Sequence, residues 1–169
     1  MISRALLLPL ALLAACGGSP TVDTPPPGPA FALRLVTAAE PAVGSRVPAV
    51  RVDISADPAS RERGLMGRDI LPPDTGMLFV YPGPREVHFW MKNCRTPLAA
   101  AFLDGEGRIL NVVEMAPGAG IPDVDLPYYD SKGPATYVIE MEGGWFHRRG
   151  IGAGDLVDLS AALRGVVAR

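Results

Sequence analysis

Leu98-Ala99-Ala100-Ala101-Phe102-Leu103-Asp104-Gly105-Glu106-Gly107-Arg108-Ile109-Leu110-Asn111-Val112-Val113-Glu114-Met115 carries the strongest architectural signal in the chain. Two strand-like runs, 98–103 and 108–115, flank four turn-forming residues whose glycines can take positive φ, which is the pattern of a β-hairpin. Upstream, Val50, Val52 and Ile54 alternate with Arg51, Asp53 and Ser55, the two-residue period of a half-buried strand. Asp57-Pro58 offers an N-cap and a first-turn proline, and Gly64 a left-handed stop, so about two turns of helix are expected between them. Met77–Tyr81 is a continuous apolar run between Gly76 and a Pro82-Gly83-Pro84 turn, read as a buried strand. Downstream, Ala135–Met141 reads as a strand and Trp145–Arg149 as one helical turn closed by Gly150. Ile151–Asp155 then turns into a last strand, Leu156–Leu159. The expected fold is mainly β: a small closed or nearly closed barrel, antiparallel or mixed, of six or seven short strands with one or two short helices. With 19 Gly and 18 Pro in 169 residues, composition also favours strands and turns over helix, and the length suits one domain, placed at 31–169.

The first residues read as an address. Arg4 precedes a short apolar run, Ala5–Leu13, which is too short for a bilayer span of roughly 20 residues and fits a secretory signal. Leu13-Ala14-Ala15-Cys16 resembles the bacterial lipobox. That resemblance implies that residues 1–15 are a signal peptide and that Cys16 becomes the acylated first residue of the mature chain, carrying fatty chains such as palmitate. Residues 16–30, with Pro20, Pro25, Pro26, Pro27 and Pro29, form an extended tether. The expected location is the cell envelope on the periplasmic side, anchored to the membrane by lipid. Gly17 rather than Asp at mature position two favours the outer membrane in a Gram-negative cell. The formal charge of -2 falls to -3 once Arg4 leaves with the signal, so no nucleic-acid partner is expected.

Chemistry concentrates in Glu86–Asn93. Alternation sends Val87, Phe89 and Met91 to a core-like face and Glu86, His88, Trp90 and Lys92 to the other, where an imidazole, an indole and an ammonium stand in a row. Such a row can stack on a ring and neutralise an anion, or it is a solvated outer face. The loop 116–132 is longer than usual. Its Tyr128 and Tyr129 are expected to fold over the domain and cover that face, while Asp123, Asp125 and Asp130 lack the spacing of a calcium loop.

Arg63-Gly64-Leu65-Met66, Gly76-Met77-Leu78-Phe79-Val80, Phe89-Trp90-Met91-Lys92-Asn93 with Thr96-Pro97-Leu98, and Gly150-Ile151 with Gly154-Asp155 together resemble the blocks of domain-of-unknown-function family 192, over roughly 50–159. The resemblance implies a mostly β domain, often secreted or lipid-anchored, with no established activity. Two departures stand out. Cys94 occupies a place where the motif usually has threonine, and the loop after Met115 lacks the cysteine pair of many members, so no disulfide closes it.

With Cys16 consumed by lipid, Cys94 is a lone thiol: a small buried side chain, or a nucleophile activated by Lys92 and His88 if the strand continues and puts Lys92 and Cys94 on one face. Arg63 and Arg68, around Met66, read as ion-pair partners of neighbouring strands, and His147 with Arg148 and Arg149 as cations at a helix end. No cofactor or metal is expected. Two functions follow, beside a purely structural reading in which the long loop seals the Trp90 face and that face performs no chemistry. The first is a non-catalytic module that binds an unidentified small molecule or protein through His88, Trp90, Lys92, Asn93 and Tyr128. The alternative is a small hydrolase or transferase with His88 as base and Lys92 and Asn93 as anion stabilisers. A concave pocket holding His88 with a partner in hydrogen-bond reach would favour catalysis, whereas a flat patch suits binding.

Overall fold

The computed structural model describes residues 31–36 and 50–169. The expected signal peptide, Cys16 and the tether lie outside the described residues. In chain order the elements are β1 (Phe31–Val36), β2 (Val50–Ser55), α1 (Pro58–Arg63), β3 (Thr75–Arg85), β4 (His88–Phe89), β5 (Leu98–Leu103), β6 (Ile109–Met115), β7 (Tyr129–Asp130), β8 (Ala135–Glu142) and β9 (Leu156–Asp158). Single 3-10 turns cover Asp123–Asp125 and His147–Arg149.

The local signals that formed these elements are chemical. Asp57 caps α1 by accepting from the Ser60 N–H at 3.0 Å, Pro58 opens the helix, and Gly64 ends it at φ 47°. In the β5–β6 turn, Asp104 Oδ1 accepts the N–H groups of Glu106 and Arg108, each at 2.9 Å, and Gly107 takes φ 85°. Gly150 closes the 3-10 turn after Arg149 in the left-handed region, φ 64°.

Seven strands form one mixed sheet in the order β6-β5-β8-β3-β2-β1-β9. β2 and β3 are parallel, joined through α1, and the other ladders are antiparallel. Both faces of the middle strands are buried, which explains why Leu98–Leu103 contains no polar residue. Leu78, Val80, Ile139 and Met141 pack with Trp145 and Phe146 on one side, while Met77, Phe79, Ala100, Phe102 and Val138 pack with Phe89 and Met91 on the other. β3 and β8 run so close that a Cβ on Gly76 would lie 2.1 Å from the Glu140 carbonyl oxygen. Only glycine fits there.

Two expectations need correction. The sheet is mainly β, as expected, but it is open and not a closed barrel. Closure requires a ladder along whole strands. The three residues of β9 are instead spent on β1, pairing Arg34 with Asp158 through Val36 with Leu156. Among the described residues the two sheet ends meet at the single Arg108–Leu156 bridge and in flanking bonds such as Val157 N–H to the Gly107 carbonyl at 2.9 Å. Secondly, Pro82-Gly83-Pro84 does not end β3. The register slips between Val80 and Arg85, so the prolines occupy an irregularity in which their missing N–H groups cost no ladder bond.

Candidate functional site

β4 begins as the sequence alternation requires. Val87, Phe89 and Met91 are buried, His88 is exposed, and Trp90 and Lys92 are half-buried. The alternation then stops, because Asn93 adopts φ 55° and the Cys94 N–H returns to the Met91 carbonyl at 3.0 Å. This turn sends Lys92 outward and Cys94 inward, where it is 6% exposed. The two residues therefore do not share a strand face.

The long loop lies over the outer edge of β4. β7, inside it, pairs with β4, matching His88 to Asp130 and Phe89 to Tyr129. Tyr128 stacks parallel to Trp90, with ring centres 6.2 Å apart and planes at 7°. The Lys92 ammonium sits 5.1 Å from the Trp90 ring centre and pairs with Asp123 at 2.5 Å. His88 Nδ1 is 2.7 Å from Asp130 Oδ1. The loop acids are thus two counter-ions and not a cation cage, and among the described residues no group of three His, Cys, Asp or Glu could hold a metal.

Behind this edge lies a cavity of about 230 Å³. α1 and the following turn form one wall with Arg61, Arg63 and Met66; Phe79 and Tyr81 of β3, His88, Phe89 and Trp90 form the others. Phe79 and Phe89 meet edge to face at 4.9 Å. Its lining also includes Cys94 and Glu140. Of the five residues expected to make the working face, His88 and Trp90 line the cavity. Lys92, Asn93 and Tyr128 lie on the outer side of the same edge and are not among its lining residues.

Glu140 was not singled out by the sequence. It is 4% exposed, and period-two alternation on β8 places it with Val138, opposite Ile139 and Met141. Among the described residues no hydrogen bond reaches its carboxyl group. Burial pushes it up to about 8, against a smaller pull from the Arg68 guanidinium. Its signal was a lone acid inside the apolar run Val138-Ile139-Glu140-Met141, in a strand buried on both faces. Burial, reinforced by Glu140, also holds the Cys94 thiol up at about 12. Burial raises the Tyr81 phenol to about 12 as well. At neutral pH all three groups carry their protons, so Cys94 offers no thiolate.

Four arginines, Arg68, Arg61, Arg148 and Arg149, are held by partners within the domain. Arg68 pairs with Asp53 of β2 at 2.6 Å. Arg61 donates to the Val80 and Arg169 carbonyls at 3.0 and 2.6 Å and covers the Tyr81 ring at 5.1 Å. Arg148 pairs with Glu142, and Arg149 with Asp74 at 2.5 Å.

Comparison with known proteins places the architecture. No curated protein matches the chain. A crystal structure of a candidate transcription regulator from Sinorhizobium meliloti is similar at 33% identity and a TM-score of 0.66, over 78% of this chain and 94% of that one. A protein of unknown function from Novosphingobium aromaticivorans is similar at 31% identity and a TM-score of 0.59, over 64% and 74% of the two chains. The model of the family DUF192, described as an uncharacterised ACR, matches residues 40–159. The chain therefore belongs to domain-of-unknown-function family 192.

Proposed function

We propose that this chain is a lipid-anchored module of the cell envelope, held on the periplasmic side through Cys16, that binds a ligand without transforming it. The ligand site is the Trp90 edge and the cavity behind it. The lipobox-like Leu13-Ala14-Ala15-Cys16 supports the anchoring. The binding role rests on one observation: His88 and Trp90 open onto a cavity whose lining combines the rings of Phe79, Tyr81 and Phe89 with the carboxyl group of Glu140, a residue only 4% exposed. The regulator description of the Sinorhizobium relative does not extend to this chain, whose formal charge of -2 gives no footprint for DNA.

The alternative, a hydrolase or transferase with His88 as base, has one observation in its favour. His88 lines a concave pocket and has Asp130 in hydrogen-bond reach, the geometry that general-base catalysis asks for. Its other half lacks support, since Lys92 is neutralised by Asp123 and neither Lys92 nor Asn93 belongs to the cavity lining. Binding is the reading we retain.

Two experiments test it. Mass spectrometry of the native protein is expected to find the mature peptide beginning at Cys16 and carrying lipid mass; an unmodified peptide overturns the anchoring. A small-molecule screen by ligand-observed NMR is expected to give binders that Trp90→Ala with Lys92→Ala no longer holds, with the fold intact. Undiminished binding by the double variant removes the Trp90 edge from the site.

A further inference from the structure

The chemistry of the cavity narrows what it can hold. Its volume, about 230 Å³, is below the roughly 300 Å³ at which pockets enclose a drug-sized molecule, so it admits one end of a ligand. Phe79, Tyr81, Phe89 and Trp90 give it flat aromatic walls, which favour a planar group over a branched aliphatic one.

The charges around Glu140 select further. From α1, Arg61 and Arg63 face the cavity with Glu62. From the turn after α1, Arg68 acts on Glu140 while held by Asp53 of β2. From β3 comes Tyr81, from β4 His88, and from the turn after it Cys94. At neutral pH Tyr81 and Cys94 are protonated, and the surroundings hold more cationic than anionic groups. A cationic ligand would meet these guanidinium groups and a carboxyl that keeps its proton. A protonated carboxyl instead presents one O–H donor beside one C=O acceptor in a single plane.

We propose, resting on the ligand-binding reading above, that the cavity takes the edge of a planar, uncharged amide- or lactam-type group. The Glu140 carboxyl faces the donor and acceptor of that edge, and the aromatic walls face its surfaces. Glu140 is then a specificity-determining residue, and it works only in its protonated form. The occupant is one end of a larger molecule, whose remainder passes out beside Trp90.

The test uses 2-pyridone, benzamide, benzoate and benzylamine as probes, followed by chemical-shift titration of the soluble domain within the full mature chain. The expected result is saturable binding of 2-pyridone and benzamide, at least tenfold tighter than benzoate or benzylamine. Between pH 6 and pH 9, affinity for 2-pyridone is expected to fall about tenfold as Glu140 loses its proton. Glu140→Gln, whose side-chain amide also offers a donor beside an acceptor, is expected to keep binding and lose that pH dependence. His88 remains in this variant, so a pH dependence that survives the substitution assigns the effect to His88 and overturns the role of Glu140. Preference for benzylamine, or binding that strengthens with pH, means that Glu140 acts as a carboxylate and also overturns the proposal. If other small molecules perturb the Trp90 signal while 2-pyridone and benzamide do not, this inference fails and the ligand-binding reading stands; if none does, both fail.

Discussion

The chain has two tryptophans, and each sits beside a cation and an acid. Around Trp145, Arg149 lies 4.3 Å from the ring centre, and Asp74 accepts from both the indole N–H at 2.8 Å and Arg149 at 2.5 Å. Around Trp90, Lys92 lies 5.1 Å from the ring centre and pairs with Asp123. The ingredients match and the surroundings do not. Trp145 is 1% exposed, packed edge to face on Phe146 within one core cluster. Trp90 is half-buried and lines the cavity, with Tyr128 of the loop stacked on it from the outer side of the β4 edge. A cation over an indole is therefore no mark of function by itself. What separates the two is whether the ring ends in packed core or beside space.

Substitutions can break this contrast. The largest effect is expected from Trp145→Ala, which empties the core and costs about 3–5 kcal/mol in denaturant-unfolding stability. A loss below about 1 kcal/mol would remove Trp145 from the structural side of the comparison.

Next comes the pH profile of Glu140, which sharpens the other side. Its carboxyl is raised from 4.5 to about 8 on folding, so the folded state binds the proton more tightly than the unfolded chain does. This contribution is fully present below pH 4.5 and is lost progressively as pH rises to about 8. Glu140→Gln is expected to melt at the same temperature as the wild type near pH 4, and at a higher one near pH 8. Parallel melting curves across that range would show that the carboxyl is not held protonated by burial.

A smaller effect is expected from Asp74→Asn. Asparagine tolerates the positive φ of 55° found at this position and still accepts from the indole, so only the charge on the bond to Arg149 is lost, at a cost of about 1 kcal/mol. Smallest is Asp123→Ala, which removes an exposed carboxylate and frees the half-buried Lys92 at about 0–1 kcal/mol of stability. Its readout is ligand affinity. If Asp123→Ala unfolds the domain as readily as Trp145→Ala does, the Trp90 edge is structural.

Much of this was legible from residues whose effect is local. Asp57, Pro58 and Gly64 bounded α1 because a cap, a fixed φ and a left-handed stop act within one turn of chain. Asp104 and Gly107 marked the hairpin for the same reason. The alternation from Val87 to Met91 placed Trp90 correctly on the outer edge. It failed beyond Asn93, because one residue at positive φ breaks a period that the sequence carries no further sign of. Barrel closure is not legible in the sequence, since strand count does not reveal which partner a three-residue β9 will take. Glu140 is hard to read from sequence because its meaning arises from β3, β5 and α1 arriving around it, contacts distant in sequence. A single acid in an apolar strand is the trace such a site leaves.

The two indole N–H resonances make the central claim directly measurable. In a proton–nitrogen correlation spectrum of the folded domain titrated with the binders from the small-molecule screen, the Trp90 indole signal is expected to move in a saturable way. The Trp145 signal, locked to Asp74, is expected to stay in place. Movement of Trp145 with Trp90 stationary, or no movement of either by any binder, would contradict the assignment of the Trp90 edge as the binding site.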